Sequence, residues 1–218
     1  MNNSIVFGKK HAWRDWNLVL TDWDIPLPDV NEDEVEIPGM DGALDQTEFL
    51  AGATYKNRKL KFTFTYIGAI RTFHQKRQEI AAYLHGKVLP VVMERDPEYY
   101  YEGRCTVTKF DADGALATVE ITCNAFPWKR RRITTKITRE LTGTYQRINL
   151  YNERRRIVPT ITVQYATTVR MNGKTYELST GTYRILDFQL SEGLNIMETR
   201  LKNASSGTIT IEYQEANF

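Results

Sequence analysis

Three carboxylates lie close together in the sequence, at Asp41, Asp45 and Glu48. Carboxylates placed side by side can act as general acid and general base in hydrolysis. Asp41 precedes Gly42, however, and an aspartate at a turn commonly bonds its own backbone. We therefore interpret these three residues as turn or interface residues rather than as a catalytic set.

The histidines have no spacing typical of a metal site. His74 and His85 fall at opposite ends of one predicted helix, and His11 is distant in sequence. The sequence contains no H-x-x-x-H or Cys/His zinc spacing and no G-x-S-x-G nucleophile motif. We therefore predict no catalytic residues, no metal and no cofactor, and we expect that the protein is not an enzyme.

The two cysteines, Cys105 and Cys123, flank a predicted β-hairpin whose turn is Asp111-Ala112-Asp113-Gly114. One register places the two cysteines opposite each other, both facing the core. We interpret them as reduced core thiols, since two cysteines are too few for a disulfide scaffold. A disulfide would form only where the backbone geometry suits it.

Turn residues divide the N-terminal half into short elements. Residues 34–37 read as a strand, and Pro38-Gly39 and Asp41-Gly42 then mark tight turns, because glycine accepts the positive φ that such turns require. Lys59–Tyr66 alternates polar and apolar residues, which predicts a half-buried strand. The opening run, residues 11–25, is aromatic and indicates extended structure.

One helix is predicted, over residues 72–85. Thr72 and Gln75 match a capping box, and Gly86 is a typical C-terminal cap. Four residues share the predicted buried face of this helix, with the arginine laying its stem along it: Phe73, Arg77, Ile80 and Leu84. The apolar run Val88–Met93 predicts a strand after the helix.

The composition changes at Pro127, where the basic run 129–132 follows, and we predict domains at 1–133 and 134–218. Asn172-Gly173 is a strong hairpin signal. Further turns are predicted at Glu192-Gly193 and at residues 205–207. The spacing predicts a small all-β sandwich with strands over residues 133–138, 144–150, 157–165, 167–171, 174–178, 183–190 and 208–213.

Composition excludes several classes of protein. The chain has 218 residues, of which 41% are hydrophobic and 26% charged, an ordinary globular balance. No apolar run approaches the ~20 residues of a membrane-spanning helix, and we expect no membrane insertion. The first residues lack the apolar core of a secretory signal, so we expect synthesis and folding in a cytoplasm.

The charge distribution argues against specific nucleic-acid binding. Residues 1–133 carry 18 basic and 19 acidic residues, and residues 134–218 carry 11 and 8. Neither half is a basic footprint. The clusters 129–132 and 154–156 are interpreted as linker charge or partner-facing arginines, with a basic lumen for passing DNA as the alternative.

Several motifs follow one another in a fixed order. They are Asp15-Trp16-Asn17-Leu18, Val35-x-Ile37-Pro38-Gly39-x-Asp41-Gly42-x-Leu44-Asp45, Tyr55-x-Asn57-Arg58, Leu84-His85-Gly86, Asp96-Pro97-x-Tyr99-Tyr100-Tyr101-x-Gly103-Arg104 and Ala125-Phe126-Pro127-Trp128. Over residues 13–128 this order resembles the distal tail proteins (Dit) of siphophages and prophages of Gram-positive bacteria. The resemblance is looser beyond, through Pro159, Asn172-Gly173, Gly193-x-Asn195 and Thr208–Tyr213.

The resemblance implies a mainly β fold, with an N-terminal β-sandwich carrying one α-helix and a C-terminal galectin-like β-sandwich. It implies a hexameric ring at the virion tail tip that is assembled in the bacterial cytoplasm. The implied partners are the tail tube protein, the tail-associated lysin or hub, the tape-measure protein and receptor-binding or baseplate proteins. Such a ring needs rigid turns and apolar patches, which the segment from Val35 onward supplies.

Three consecutive tyrosines, Tyr99, Tyr100 and Tyr101, must face both sides of a strand, so at least one points away from its own core. Tyrosine is favoured at protein interfaces. Our hypothesis is that these tyrosines and Arg104 contribute to the subunit contact. The alternative is that all three tyrosines pack within the subunit.

Two alternatives concern function. A galectin-like fold suggests a carbohydrate-binding tail component that contacts the host surface, although residues 134–218 contain no tryptophan and no histidine. The C-terminal tyrosines 145, 151, 165, 176, 183 and 213 could stack on a sugar, but such tyrosines are usual on β-sheet faces. The other alternative is a tail component that stays monomeric until it meets the tube.

Overall fold

The computed structural model describes residues 4–49, 52–113 and 116–218, and it divides the chain into two compact units. The first unit comprises residues 1–129 with Phe218, and the second comprises residues 130–217. Both consist largely of strands, so the prediction of a mainly β fold is confirmed. Within the described ranges, no helix is long and apolar enough to cross a membrane.

The described elements of the first unit follow in chain order. They are β1 (Ile5–Phe7), β2 (Lys10–His11), α1 (Ala12–Trp16), β3 (Leu18–Asp24), β4 (Glu34–Glu36), β5 (Ala43–Asp45), β6 (Arg58–Tyr66), α2 (Ile70–Leu84), β7 (Val88–Met93), β8 (Tyr99–Asp113) and β9 (Leu116–Ala125).

Seven strands of the first unit form an antiparallel sheet in the order β2-β1-β7-β8-β9-β6-β3, while β4 and β5 make a separate two-stranded sheet. Three strands separate β1 from β6, yet the ring centroid of Phe7 lies 6.0 Å from that of Phe62. Neighbouring strands are about 4.8 Å apart, so the sheet must curl around the core for these rings to meet. Two walls therefore enclose one core, as the layers of a sandwich do.

Strand β6 confirms the predicted alternation. Leu60, Phe62, Phe64 and Tyr66 are all buried in the first core, while Lys59 and Lys61 between them are exposed. Phe62 and Phe64 are fully removed from water, which contributes about 1.5–3 kcal/mol per residue.

Helix α2 packs against β8 and β9 and begins two residues earlier than predicted. Its N-cap is Ala69, which makes no side-chain cap bond. The capping-box prediction is therefore wrong: Thr72 lies inside the first turn, where its hydroxyl donates to the Ala69 carbonyl at 2.6 Å. The C-terminal prediction is confirmed, because Gly86 has a φ of +79°.

The buried face of α2 agrees with its pattern. Phe73, Ile80 and Leu84 are buried, and the guanidinium of Arg77 lies 5.3 Å from the ring centroid of Phe110. This arrangement keeps the charge in water while the stem covers apolar surface.

A short helix, α1, interrupts the opening run that was predicted to be extended. The side chain of His11 caps it by accepting from the backbone N–H groups of Trp13 and Arg14, each at 3.2 Å. The Asp15 carboxylate in turn accepts from the His11 backbone N–H at 2.8 Å, which lowers the pKa of Asp15. These local side-chain bonds outweigh the β propensity of the aromatic residues.

The long hairpin of β8 and β9 has the predicted register, with Cys105 opposite Cys123. Both cysteines are buried and free. The predicted turn, residues 111–114, falls partly outside the described residues, because Gly114 and Ala115 are not described.

The strands of the second unit continue the chain order. They are β10 (Lys129–Arg131), which begins at the last residue of the first unit, β11 (Thr135–Leu141), β12 (Gln146–Asn152), β13 (Thr160–Val163), β14 (Thr167–Met171), β15 (Lys174–Leu178), β16 (Gly181–Tyr183), β17 (Gly193–Leu201), β18 (Gly207–Tyr213) and β19 (Ala216–Asn217).

Two four-stranded antiparallel sheets make up the body of the second unit, in the orders β11-β18-β13-β16 and β12-β17-β14-β15. One apolar cluster contains buried residues of both sheets, including Ile209 and Ile211 from the first and Val169 and Met197 from the second. The Asn172-Gly173 prediction is confirmed, since both residues have positive φ, 52° and 74°, at the turn between β14 and β15.

Two predictions for this unit fail. Residues 184–190 form no strand, and only an isolated bridge joins Leu190 to Ile157. Strand β17 was missed because its pattern is inverted: Leu194 and Ile196 are exposed, whereas Asn195 and Thr199 are buried.

Candidate interaction surface

The arm, residues 30–49, carries five exposed large apolar side chains: Val35, Ile37, Met40, Leu44 and Phe49. Its two strands, β4 and β5, pair with each other, and all six of their residues are exposed. The base is fixed by a bridge between Val30 and Tyr55 and by a bond from the Asn31 N–H to the Thr54 carbonyl at 2.8 Å. The arm is thus a hairpin held at one end.

Apolar side chains cover one side of the arm. Val35 lies directly opposite Leu44, and Ile37 shares the alternation of Val35. Phe49 is 82% exposed and Leu44 is 42% exposed. Leu44 and Phe49, with Asp45, Gln46 and Glu48, line an open depression of about 510 Å³. Large apolar side chains clustered in this way are typical of a protein interface.

The arm carries seven acidic residues and no Lys or Arg. Glu34 lies directly opposite Asp45 across the two strands, and like charges in that position destabilise a strand pair. A basic partner surface would remove this repulsion. The acidic excess of the arm is visible in the sequence as a long run without basic residues. The exposure of its apolar side chains could not be predicted from the sequence.

The three carboxylates considered at first for acid–base chemistry lie on this arm. Asp45 accepts from the Thr47 backbone N–H at 2.9 Å, and bonds from the Thr47 hydroxyl and N–H keep the pKa of Asp45 below its ordinary value. This is the turn role expected of Asp45. Asp41 lies in the arm's turn and is exposed.

The tyrosine run occupies the start of β8. Tyr101 is only 8% exposed and belongs to the core, where the Arg58 guanidinium lies 4.9 Å from its ring centroid. Tyr99 is half-buried beneath the Lys129 ammonium, 4.5 Å from its centroid. Tyr100 is half-buried and, by strand alternation, points to the opposite face from its neighbours. Tyr100 is the member of the run oriented away from Tyr101.

Arg104 is exposed on β8, and its guanidinium donates to the Gly86 carbonyl at the end of α2. A cation at the C-terminus of a helix interacts favourably with the helix dipole. This bond ties β8 to α2 within the subunit. Arg104 therefore has a structural partner, and the structure brings it near the helix end rather than beside the tyrosine rings.

Arg58 is a buried cation that the sequence did not single out for this role. It is 4% exposed and donates to the Pro26 carbonyl at 3.2 Å. Burial lowers the pKa of Arg58. The face of the Tyr101 ring supplies the negative potential that a carboxylate would otherwise provide, which helps to explain why Tyr101 faces inward.

The described residues contain no group of three His, Cys, Asp or Glu side chains placed to hold a metal. His11, besides capping α1, contacts the Glu94 carboxylate through Nε2 at 2.8 Å. His74 and His85 are exposed on α2 and at its end. The three histidines therefore lie in separate local environments.

The basic clusters make intramolecular contacts. Lys129 forms an ion pair with Asp96 at 2.7 Å, and Arg131 forms one with Glu215 at 3.3 Å. Burial and repulsion from Arg130 lower the pKa of Arg155. Part of this positive charge is thus neutralised within the fold.

Tyrosines of the second unit occupy different environments. Tyr151 and Tyr165 are exposed, while Tyr213 is buried and its hydroxyl donates to the Tyr151 carbonyl at 2.6 Å. Tyr145 lies under the guanidinium groups of Arg170 and Arg200, at 4.2 and 4.7 Å from its centroid. The neighbours of Tyr151 on β17 are aliphatic, since Leu194 lies directly opposite it.

A family model described as the phage tail protein RIFT-related domain matches residues 20–124. No curated protein matches the chain in sequence. Among solved structures, the chain is similar to the SPP1 Dit protein (gp 19.1), described as a paradigm of the hub adsorption apparatus in Gram-positive infecting phages. The TM-score is 0.65 at 13% sequence identity, covering 97% of this chain and 98% of that one.

Proposed function

We propose that this protein, which has the fold of the SPP1 Dit protein and matches a phage tail protein model over residues 20–124, is a siphophage tail protein that forms a ring-shaped hub joining the tail tube to the tip proteins. The observation that carries the proposal is the arm, residues 30–49: an anchored hairpin with one apolar side and an acidic excess. A chain that folded to act alone would gain stability by covering such a surface.

The charge of the arm favours heterologous self-association, in which two different surfaces meet, over a two-fold contact. The arm's seven acidic residues, with no Lys or Arg among them, would repel one another between two facing arms, which disfavours a two-fold contact between two arms. A contact between the arm and a different, basic surface of the next subunit is heterologous, and a heterologous contact with a closing rotation gives a ring. Six subunits are the number that the resemblance implies.

The hub role defines the other partners. A ring at the distal end of the tail meets the tube protein on one side and the tape-measure protein, the tail-associated lysin or hub, and receptor-binding or baseplate proteins on the other. We place the protein at the tail tip of the virion, with assembly in the host bacterial cytoplasm. The role is structural, and no catalysis by this chain is proposed.

The N-terminal unit is the ring-forming part in this proposal. Within the tyrosine run, the proposed subunit contact now centres on Tyr100, because Tyr101 is in the core and Arg104 bonds Gly86. Tyr99 and Arg104 would contribute at the margin of that contact.

Mass measurement by light scattering tests the ring, with the protein alone and with purified tail tube protein. The variant Leu44→Glu puts a charge on the apolar side of the arm. Leu44 is 42% exposed, so the contact could add only part of the ~1.5–3 kcal/mol of full leucine burial, but the variant would also bury a carboxylate, which costs more. We expect at least a tenfold weaker subunit association. Leu116→Glu is the matched control, because Leu116 is 64% exposed and lies off the arm; its mass should equal that of the parent protein.

A wild-type protein that stays a monomer with and without the tube protein would contradict the hub role. Equal loss of mass in Leu44→Glu and Leu116→Glu would show that the arm is not the contact. Tyr100→Ala examines the second contact in the same assay, and an intact ring would remove Tyr100 from the interface.

Carbohydrate binding through the second unit is the less supported function. A sugar platform needs polar side chains around an aromatic ring, whereas exposed Tyr151 is next to Leu194 and Ile196. A glycan array with the whole protein tests it independently of the ring.

A further inference from the structure

Cys105 and Cys123 form a cross-strand pair in the first unit, each fully buried and neither bridged. They lie directly opposite each other on β8 and β9. The scaffold function proposed above makes no use of either thiol. Their mutual geometry decides whether a bond can form between them.

The backbone shows which kind of antiparallel pair this is. The Cys105 N–H donates to the Lys87 carbonyl, and the Cys105 carbonyl accepts from the Gly86 N–H, both at 2.8 Å. The two groups of one strand residue point to the same side, so both are directed away from β9. The pair is therefore of the non-hydrogen-bonded type, in which Cα atoms are about 4.5 Å apart. That separation lies within the range of disulfides, about 4.4–6.8 Å.

The sulfur atoms share one small space beside Gly103. A Cβ added to Gly103 would lie 2.7 Å from Cys123 Sγ, and Cys105 Sγ is 3.9 Å from the Gly103 carbonyl oxygen. The same Cβ would lie 2.5 Å from both the Ala125 Cα and the Asn124 carbonyl oxygen, so only glycine allows this close strand contact, and both thiols lie beside it. Their hydrogen bond, with Cys123 as donor, raises the pKa of Cys123 and lowers the pKa of Cys105. Cys105 is thus the better nucleophile of the two.

We propose that Cys105 and Cys123 are a site of reversible oxidation to a cross-strand disulfide, with hydrogen peroxide as the oxidant. The Cys105 thiolate attacks one peroxide oxygen, so that an S–O bond forms, the O–O bond breaks and the hydroxide released takes a proton to become water. Cys123 Sγ then attacks the sulfenic sulfur, forming the S–S bond while the S–O bond breaks, and the departing hydroxide takes the Cys123 thiol proton and leaves as a second water.

The bridge would close the loop of the β8–β9 hairpin between residues 105 and 123. Closing a loop of this size restricts the unfolded chain, although the short Cα separation of a non-hydrogen-bonded pair reduces the gain through strain. We expect the midpoint of thermal unfolding to rise by about 5 °C on oxidation. A thiol reductant should reverse the rise.

The experiment treats the whole native protein with hydrogen peroxide, removes the excess with catalase, and then denatures it in an alkylating reagent. We expect the intact mass to fall by two hydrogen atoms with no alkyl group added. Trypsin cuts after Lys109, so a disulfide should join two peptides that separate on reduction. Two alkylated thiols, or a mass increased only by oxygen, would overturn the proposal.

Cys123→Ala assigns the order of the two steps. This variant cannot close the bridge, so Cys105 should stop at the sulfenic acid and take up dimedone. The mirror variant, Cys105→Ala, should take up much less. Equal labelling of the two variants, or none in Cys123→Ala, would overturn the assignment of Cys105 as the attacking thiol. Circular dichroism of both variants verifies that they are folded.

Discussion

Strands β6 and β17 are both nine residues long and both alternate between buried and exposed positions, yet only β6 was predicted from sequence. The inward positions of β6 hold Leu60, Phe62 and Phe64, so burial and hydrophobicity coincide. In β17 the inward positions include Asn195 and Thr199, while Leu194 and Ile196 face outward. The alternation of inward and outward positions is a property of the strand backbone. It is visible in the sequence only where apolar residues occupy the inward positions and polar residues the outward ones.

The two strands also show two ways in which an inward-facing side chain is held in place. Phe62 is held by ring packing against Phe7 at 6.0 Å. Asn195 is held by hydrogen bonds: its amide donates to the Ser191 carbonyl at 2.8 Å, and its oxygen accepts from the Ser191 N–H at 2.9 Å. Packing is not directional, whereas the bonds of Asn195 fix the turn that leads into β17.

The largest effect should come from Phe62→Ala in β6. Loss of a fully buried phenylalanine leaves a cavity beside Phe7, and we expect the free energy of unfolding to fall by about 3–5 kcal/mol. All four tryptophans lie in the first unit, so urea denaturation followed by tryptophan fluorescence reports this change. The exposed neighbour gives the control: Lys61→Ala should cost less than about 1 kcal/mol.

Asn195→Ala should have a smaller but clear effect, since it leaves the Ser191 N–H without its partner and removes the shorter of two bonds to the Ser191 carbonyl, which keeps Asn152 at 3.3 Å. We expect a loss of about 2 kcal/mol, measured by circular dichroism because the second unit contains no tryptophan. Asn149→Ala, on the exposed side of β12, is the matched change and should be within about 0.5 kcal/mol of the parent protein. Similar values for the two asparagines would refute the bonding role of Asn195.

Thr199→Val should have the smallest effect and the opposite sign. The Thr199 hydroxyl is buried with no hydrogen-bond partner among the described residues, and valine has nearly the same shape. We expect a gain of about 1 kcal/mol, because burying an unpaired hydroxyl is costly. Thr138→Val provides the contrast, as the Thr138 hydroxyl bonds Thr210 at 3.1 Å; a gain of the same size there would contradict this explanation.

Elsewhere in the chain, too, structure was predicted correctly where buried positions hold apolar residues. The apolar face of α2 was predicted because Phe73, Ile80 and Leu84 are both apolar and buried. Its start was missed because Ala69 caps the helix without any side-chain signal, and Thr72 bonds the preceding turn instead. Helix α1 depends on a histidine cap, which is not among the usual capping residues.

In the arm, the strand over residues 34–37 and the two glycine turns after it were predicted, and Gly39 and Gly42 do have positive φ; the returning strand β5 was not predicted. Its role as an exposed surface could not be predicted, because local sequence specifies a strand pair but not whether a third element covers it. The tyrosine run was predicted to face both ways, but which residue enters the core depends on Arg58, a neighbour supplied by another strand.

The absence of lysine and arginine between Arg14 and Lys56 also determines which proteases can cleave the arm. Trypsin has no cleavage site anywhere in this stretch, so the arm stays intact under trypsin in any state of assembly. A glutamate-specific protease has sites on the arm at Glu32, Glu34, Glu36 and Glu48. Digestion by that enzyme, and not by trypsin, therefore distinguishes an arm exposed to solvent from one covered by a neighbouring molecule.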